Sequence, residues 1–169
     1  MTGAATHSPA EAPGTVAWQV RSAREDDAPE VAAAVAGLVA ELGGSPPPRA
    51  AIEAEARAHI ADPSLGIVLV AAAGEGELVG VLTASWARAI QVAGRLLTIE
   101  VLWTRREWRD QGVGAALVEA LAAAAAAEGA GRVEVGLPRD SFAALRATER
   151  FYLANGFELL GPRMRRAVP

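Results

Sequence analysis

Apolar and polar residues follow two different periods along this chain, and the switches between them mark out its elements. Val16-Ala17-Trp18-Gln19-Val20-Arg21 alternates with a period of two, which predicts a first strand ending at the acidic turn Glu25-Asp26-Asp27. Val31, Val35, Leu38, Val39 and Leu42 then recur at three- and four-residue spacing, the signature of a helix, and Gly43-Gly44 stops it. Ser45-Pro46-Pro47-Pro48 is a stiff link to a second helix over about 49–60, with Glu53, Glu55, Arg57 and His59 on its polar face and Asp62-Pro63 closing it.

Ile67-Val68-Leu69-Val70 and Leu78-Val79-Gly80-Val81-Leu82-Thr83 flank Gly74-Glu75-Gly76, a hairpin pattern with a longer turn. A further strand, Leu96 to Thr104, follows the loop around Ala93-Gly94. A long helix runs from Gly114 to Glu128, stacks Val113, Leu117 and Leu121 on one face and ends at Gly129 and Gly131. Val133 to Leu137 reads as a short strand broken by Pro138. Asp140 or Ser141 is placed to cap a last helix reaching Asn155, with Gly156 after it. Phe157 to Leu160 and Met164 to Val168 are the final strand candidates. The resulting order, β-α-α-β-β-β-α-β-α-β-β, is that of an α/β protein without internal repeats.

Length and composition narrow the picture. The chain has 169 residues, 51% of them apolar, which suits one domain with a substantial core. It has no cysteine, so a disulfide framework, a thiol nucleophile and cysteine-ligated metal are excluded. A net charge of −4 without a long basic run gives no field that favours nucleic acid and suits a cationic or amine substrate. No run reads as a membrane span: the longest apolar stretch, Leu117 to Ala127, is mostly alanine and contains Glu119. Residues 1–14 are rich in Ala, Pro, Thr and Ser, lack the pattern of a signal peptide, and are expected to be a disordered tail. A cytoplasmic location is expected from these features.

The segment richest in chemistry is Arg109-Asp110-Gln111-Gly112-Val113-Gly114, between the strand ending at Thr104 and the long helix. Two glycines remove side chains where a ligand would touch backbone, and the helix beyond begins with N–H groups that have no partner within it. Such a start attracts anions, and the forked guanidinium of Arg109 matches phosphate. A Walker loop is excluded because Gly114 is followed by Ala115 and Ala116 rather than Lys and Ser or Thr. A dinucleotide fingerprint fits poorly, since Leu117 stands where its third small residue belongs.

With its Arg-x-x-Gly-x-Gly loop after a strand, the chain resembles the acetyl-coenzyme A-dependent Gcn5-related N-acetyltransferase (GNAT) family. Ile99 to Thr104 resembles that family's fourth strand, Arg109 to Gly114 its pyrophosphate loop and Ala115 to Leu121 its third helix. Phe151-Tyr152-Leu153-Ala154-Asn155-Gly156-Phe157 resembles its second characteristic block. The resemblance implies a mixed central sheet of six to seven strands flanked by about four helices, in one domain over residues 15–169. It also implies that acetyl-coenzyme A is the co-substrate. The residues implied to bind it are Leu102, Trp103 and Thr104 on the strand, then Arg109, Asp110, Gln111, Gly112, Val113, Gly114 and Ala115.

The same resemblance implies acetyl transfer to a primary amine by direct attack on the thioester, which calls for a proton acceptor and a group for the departing sulfur. Glu100, a carboxylate in an otherwise apolar run, is the candidate general base, a role typically worth ~10²–10⁴-fold in rate. Partial burial would make it a better base at neutral pH; the alternative is an outward-facing charge on a half-exposed strand. Tyr152, the single tyrosine, is the candidate acid or hydrogen-bond donor to sulfur; the alternative is a core aromatic packed with Phe142 or Leu145. Many relatives have asparagine where this chain has Leu145. Trp86, Trp103 and Trp108 are expected near the cleft. His7 and His59 have no metal-ligand spacing, and no metal is expected. A small-molecule amine is the leading acceptor, with a protein amino terminus or lysine as the alternative, and a non-catalytic acyl-coenzyme A sensor is the competing class. A homodimer is an expectation by analogy with the family.

Overall fold

The computed structural model describes residues 17–161. Five strands and four helices follow one another as β1 (Trp18–Ser22), α1 (Ala28–Glu41), α2 (Arg49–Ala61), β2 (Gly66–Ala73), β3 (Glu77–Ala89), β4 (Gly94–Thr104), α3 (Val113–Ala127), β5 (Arg132–Val135) and α4 (Leu145–Ala154). The strands form one sheet in chain order, antiparallel except for the parallel pair β4–β5.

Each face of the sheet carries its own core. On one face Val31 and Ala34 of α1 pack against Val68, Val70 and Val81. On the other, Val113, Leu117 and Leu121 of α3 pack against Leu69, Leu82, Leu97 and Ile99, and Tyr152 of α4 joins them. The three α3 residues expected to stack are thus core residues, each 0–1% exposed. Gly80 on β3 sets how closely α3 approaches. A Cβ there would lie 2.7 Å from Val113 Cγ1 and 2.9 Å from Leu117 Cδ1. Between β1 and α1, Arg21 grips Asp27 through two hydrogen bonds of 2.6 and 2.9 Å, which holds that carboxyl below the usual carboxylate range.

Three expectations are corrected by the structure. The mixed sheet flanked by four helices is as expected, and the described residues supply five of its strands; Phe157 to Leu160 pairs with no strand among the described residues and leaves Leu159 and Leu160 exposed at 63% and 66%. The candidate strand Met164 to Val168 and the tail 1–14 lie outside the described residues. β3 runs on past Thr83 to Ala89 because Ser85 to Ala89 pair with Thr98 to Gly94 across a long hairpin, although this stretch is poor in strand-forming residues. The last helix begins at Leu145 rather than at a cap on Asp140 or Ser141; Ala144 precedes it and makes no side-chain capping bond.

Candidate active site

β4 and β5 pair only from Leu96–Arg132 to Ile99–Val135, and beyond that point β5 ends while β4 continues to Thr104. The divergence opens a cleft of about 500 Å³ floored by β4 and walled by α1, the loop before α3, and α4. The two sequence blocks, some forty residues apart in the chain, meet in it.

The register of β4 places Glu100. Thr83 pairs with Val101 and Ala84 with Ile99, so Glu100 is the extra residue of a β-bulge and has no partner of its own. A bulge shifts the alternation by one. Ile99 and Leu102 both face the α3 core, while Val101 lies against α1 and α2 and Trp103 packs into the same core. The Glu100 side chain lines the cleft and is exposed, not partly buried as expected.

The loop before α3 is shaped for close approach. Gly112 has φ +82 with open space around its α carbon, and Asp110 has φ +62, a left-handed conformation that Asp tolerates better than most residues. At Gly114 a Cβ would come within 3.3 Å of the Phe151 ring, so this glycine lets the helix start sit against α4. The N–H groups of residues 111–115 donate to no group among the described residues, whereas that of Ala116 donates to the Gly112 carbonyl at 3.0 Å. These free donors point out of the helix start as an anion cradle. Gln111 braces the loop through a 2.7 Å bond from Nε2 to the Glu107 carbonyl and does not line the cleft. Leu102, Trp103, Thr104, Arg109, Asp110, Gly112, Val113, Gly114 and Ala115 do line it.

Arg109 is already engaged. Its guanidinium forms a fork with Glu41, at 3.1 and 2.9 Å, and donates to the Thr104 carbonyl at 3.1 Å. Glu41 is the last residue of α1 and itself lines the cleft, so the end of α1 is tied to the loop before α3. Nothing in local sequence signals this pairing of residues 68 apart.

Tyr152 is 7% exposed and is gripped edge-on by Phe151 and Phe157, each with ring centroids 5.2 Å away. Its aromatic partners are therefore these two, and not Phe142 or Leu145; Phe142 precedes the helix and lines the cleft. The Phe157 N–H closes the end of α4 by donating to the Tyr152 carbonyl at 3.1 Å. Burial pushes the phenol up to about 12, so it stays protonated through neutral pH. The hydroxyl has no hydrogen-bond partner among the described residues, yet no unpartnered side-chain oxygen among them is sealed from solvent. Tyr152 lines the cleft, and its hydroxyl keeps a proton to donate.

Trp103 and Trp108 line the cleft as expected. Trp86 does not: it lies farther along β3, stacked on Arg95 at 3.8 Å and bonded through Nε1 to the Pro63 carbonyl. Among the described residues no group of three His, Asp or Glu side chains is placed to hold a metal ion, and no helix is long and apolar enough to cross a membrane.

Residues 22–157 match the model of the acetyltransferase (GNAT) family. The chain belongs to that family. Solved structures of the same fold include a possible acetyltransferase from Clostridium difficile 630, with TM-score 0.75 and 17% identity over 90% of this chain and 98% of that one. Another is the aminoglycoside N-acetyltransferase AAC(6')-Iy in complex with CoA, with TM-score 0.74 and 15% identity over 94% and 99%. A third is a ribosomal-protein-alanine N-acetyltransferase from Brucella melitensis biovar Abortus 2308, with TM-score 0.69 and 18% identity over 90% and 100%. At these identities the likeness speaks for the fold alone. Comparison with curated proteins finds no match.

Proposed function

We propose that this protein is an acetyl-coenzyme A-dependent N-acetyltransferase acting on the primary amine of a small molecule. The observation that carries the reading is that one cleft is lined by residues 112–115 with their free N–H groups, by the bulged Glu100 and by Tyr152 with its unpartnered hydroxyl. When bound, acetyl-coenzyme A supplies an acetyl group activated as a thioester: an N–C bond forms to the amine as the C–S bond breaks and sulfur leaves as thiolate.

The cradle at the start of α3 suits the pyrophosphate, with the helix dipole adding to the free donors of residues 112–115. Among the described residues β4 has no neighbouring strand on its β5 side from Glu100 to Thr104, which leaves an edge for an extended pantetheine arm. Glu100 accepts the proton the amine must lose, directly or through one water. Tyr152 serves the sulfur as a hydrogen-bond donor rather than by handing over its proton. A phenol near 12 holds its proton more tightly than an ordinary thiol of about 8.5.

The test is acetyl-coenzyme A-dependent thiol release with a panel of primary amines, comparing the wild-type protein with Glu100→Gln. Amine-dependent release that falls about a hundredfold in the variant at pH 7–8 is expected. Equal rates in the two proteins would remove Glu100 as the base. Tight binding of acetyl-coenzyme A with no release for any amine would favour the sensor reading.

A further inference from the structure

Outside the donor cleft, a second and smaller recess of about 110 Å³ lies between α1, α2 and the sheet. Its walls are aliphatic: Val31 and Val35 of α1, Ile52 and Ala56 of α2, Val68 of β2 and Val101 of β4. Glu55, His59 and Thr83 complete its lining, together with Glu100. Glu100 is the one residue that lines both this recess and the donor cleft. Glu100 is the bulged residue of β4, and Val101 beside it walls the recess without lining the donor cleft.

We infer that the acceptor is a primary amine on a short unbranched or once-branched aliphatic chain, whose carbons fill this recess while its nitrogen stands at Glu100. The inference rests on the transferase reading and specifies its substrate. The Glu100 carboxylate complements an ammonium, while the Glu55 carboxylate lies 3.4 Å from His59 Nδ1, and His59 also contacts the Glu55 carbonyl at 3.1 Å and Ser85 Oγ at 3.4 Å. Capacity sets the chain length. An apolar cavity of about 150 Å³ takes up benzene, so this one holds about four carbons. Each methylene buried there raises kcat/KM about fourfold until the recess is full. An aminosugar fits poorly, since a hydroxyl pressed against valine and isoleucine without a partner loses about tenfold in affinity or more. In the transfer, the amine nitrogen bonds to the acetyl carbon, the C–S bond breaks, the thiolate leaves, and Glu100 takes the proton.

The experiment compares kcat/KM for ethylamine, n-butylamine, n-octylamine and glucosamine in the wild-type protein, in Ala56→Leu, which fills the recess, and in Ile52→Ala, which enlarges it. Amide shifts on adding n-butylamine to the protein loaded with coenzyme A give a readout independent of turnover. The expected result is a butyl-to-ethyl ratio of about ten or more, a plateau before octylamine, and little activity on glucosamine. Ala56→Leu should bring the ratio toward one, and Ile52→Ala should move the optimum to longer chains. Transfer without chain-length dependence, or with glucosamine preferred, overturns the inference and leaves the transferase reading intact. No transfer to any amine, but butylamine shifts at Val101 and Ala56, overturns the transferase reading and supports the recess as an aliphatic-amine site. Neither transfer nor shifts overturns both.

Discussion

Replacing Gly80 by alanine tests how the sheet positions the donor site. The added Cβ would lie 2.7 Å from Val113 Cγ1, 2.9 Å from Leu117 Cδ1 and 3.3 Å from Ala71 Cβ. All three neighbours are at most 1% exposed, so neither side chain can swing into solvent, and α3 itself must move. Overpacking of this kind costs about 1–3 kcal/mol. Alanine returns about 0.5–1 kcal/mol through the smaller backbone entropy lost on folding. The net loss is about 1–2 kcal/mol, or roughly 2–8 °C in Tm for a chain of this size. Val113 is the first residue of α3, so the displacement also reaches the N–H cradle, and coenzyme A affinity should fall with stability. Scanning calorimetry and titration with coenzyme A measure the two effects, and adding Val113→Ala should restore part of the affinity by making room. A Gly80→Ala protein as stable as wild type, with unchanged affinity, would refute the account of how α3 is seated.

Other expectations follow from single contacts. Tyr152→Phe should keep coenzyme A affinity and lower turnover about 10- to 100-fold, the worth of one hydrogen bond to a charged group; because the phenol lies near 12, the wild-type rate should show no tyrosine ionisation below pH 10. Glu41→Gln frees the Arg109 guanidinium and removes a negative charge from the cleft, so coenzyme A should bind up to about fivefold more tightly, while stability of this half-exposed pair changes by less than ~1 kcal/mol. Weaker binding in that variant would mean that the pair holds the loop in shape. Asp27 has a lowered pKa, so its pairing with Arg21 stabilises the fold above its unfolded value of about 3.9 and ceases to do so as pH falls through the folded value. Asp27→Asn should therefore be less stable by about 2 kcal/mol at pH 6–7, with the difference closing in acid unfolding curves below pH 4.

What the sequence disclosed and what it hid divide along the range of the interactions. The loop from Arg109 to Gly114 and the apolar stripe of α3 are local: glycine spacing and a helical period lie within a few residues, and the structure places them as expected. The Phe-Tyr-x-x-x-Gly-Phe block is also local, and its Gly156 does follow the end of α4. The bulge at Glu100 is not local, because it exists only relative to Thr83 and Ala84 on the neighbouring strand. The alternation Ile99-Glu100-Val101 reads as a regular strand whether or not a residue is skipped. The Glu41–Arg109 pair and the recess beside Glu100 likewise depend on how α1 and α2 lie over the sheet. His59, read as a polar-face residue, has a side chain only 17% exposed because it packs beside Gly66 and Ser85.

Isothermal titration of the purified protein with acetyl-coenzyme A addresses the central claim most directly, since the cradle of free N–H groups before α3 is its foundation. One-to-one binding on the order of micromolar, weakened by added pyrophosphate, is the predicted result. Heat-silent titration with no change in Tm would contradict it.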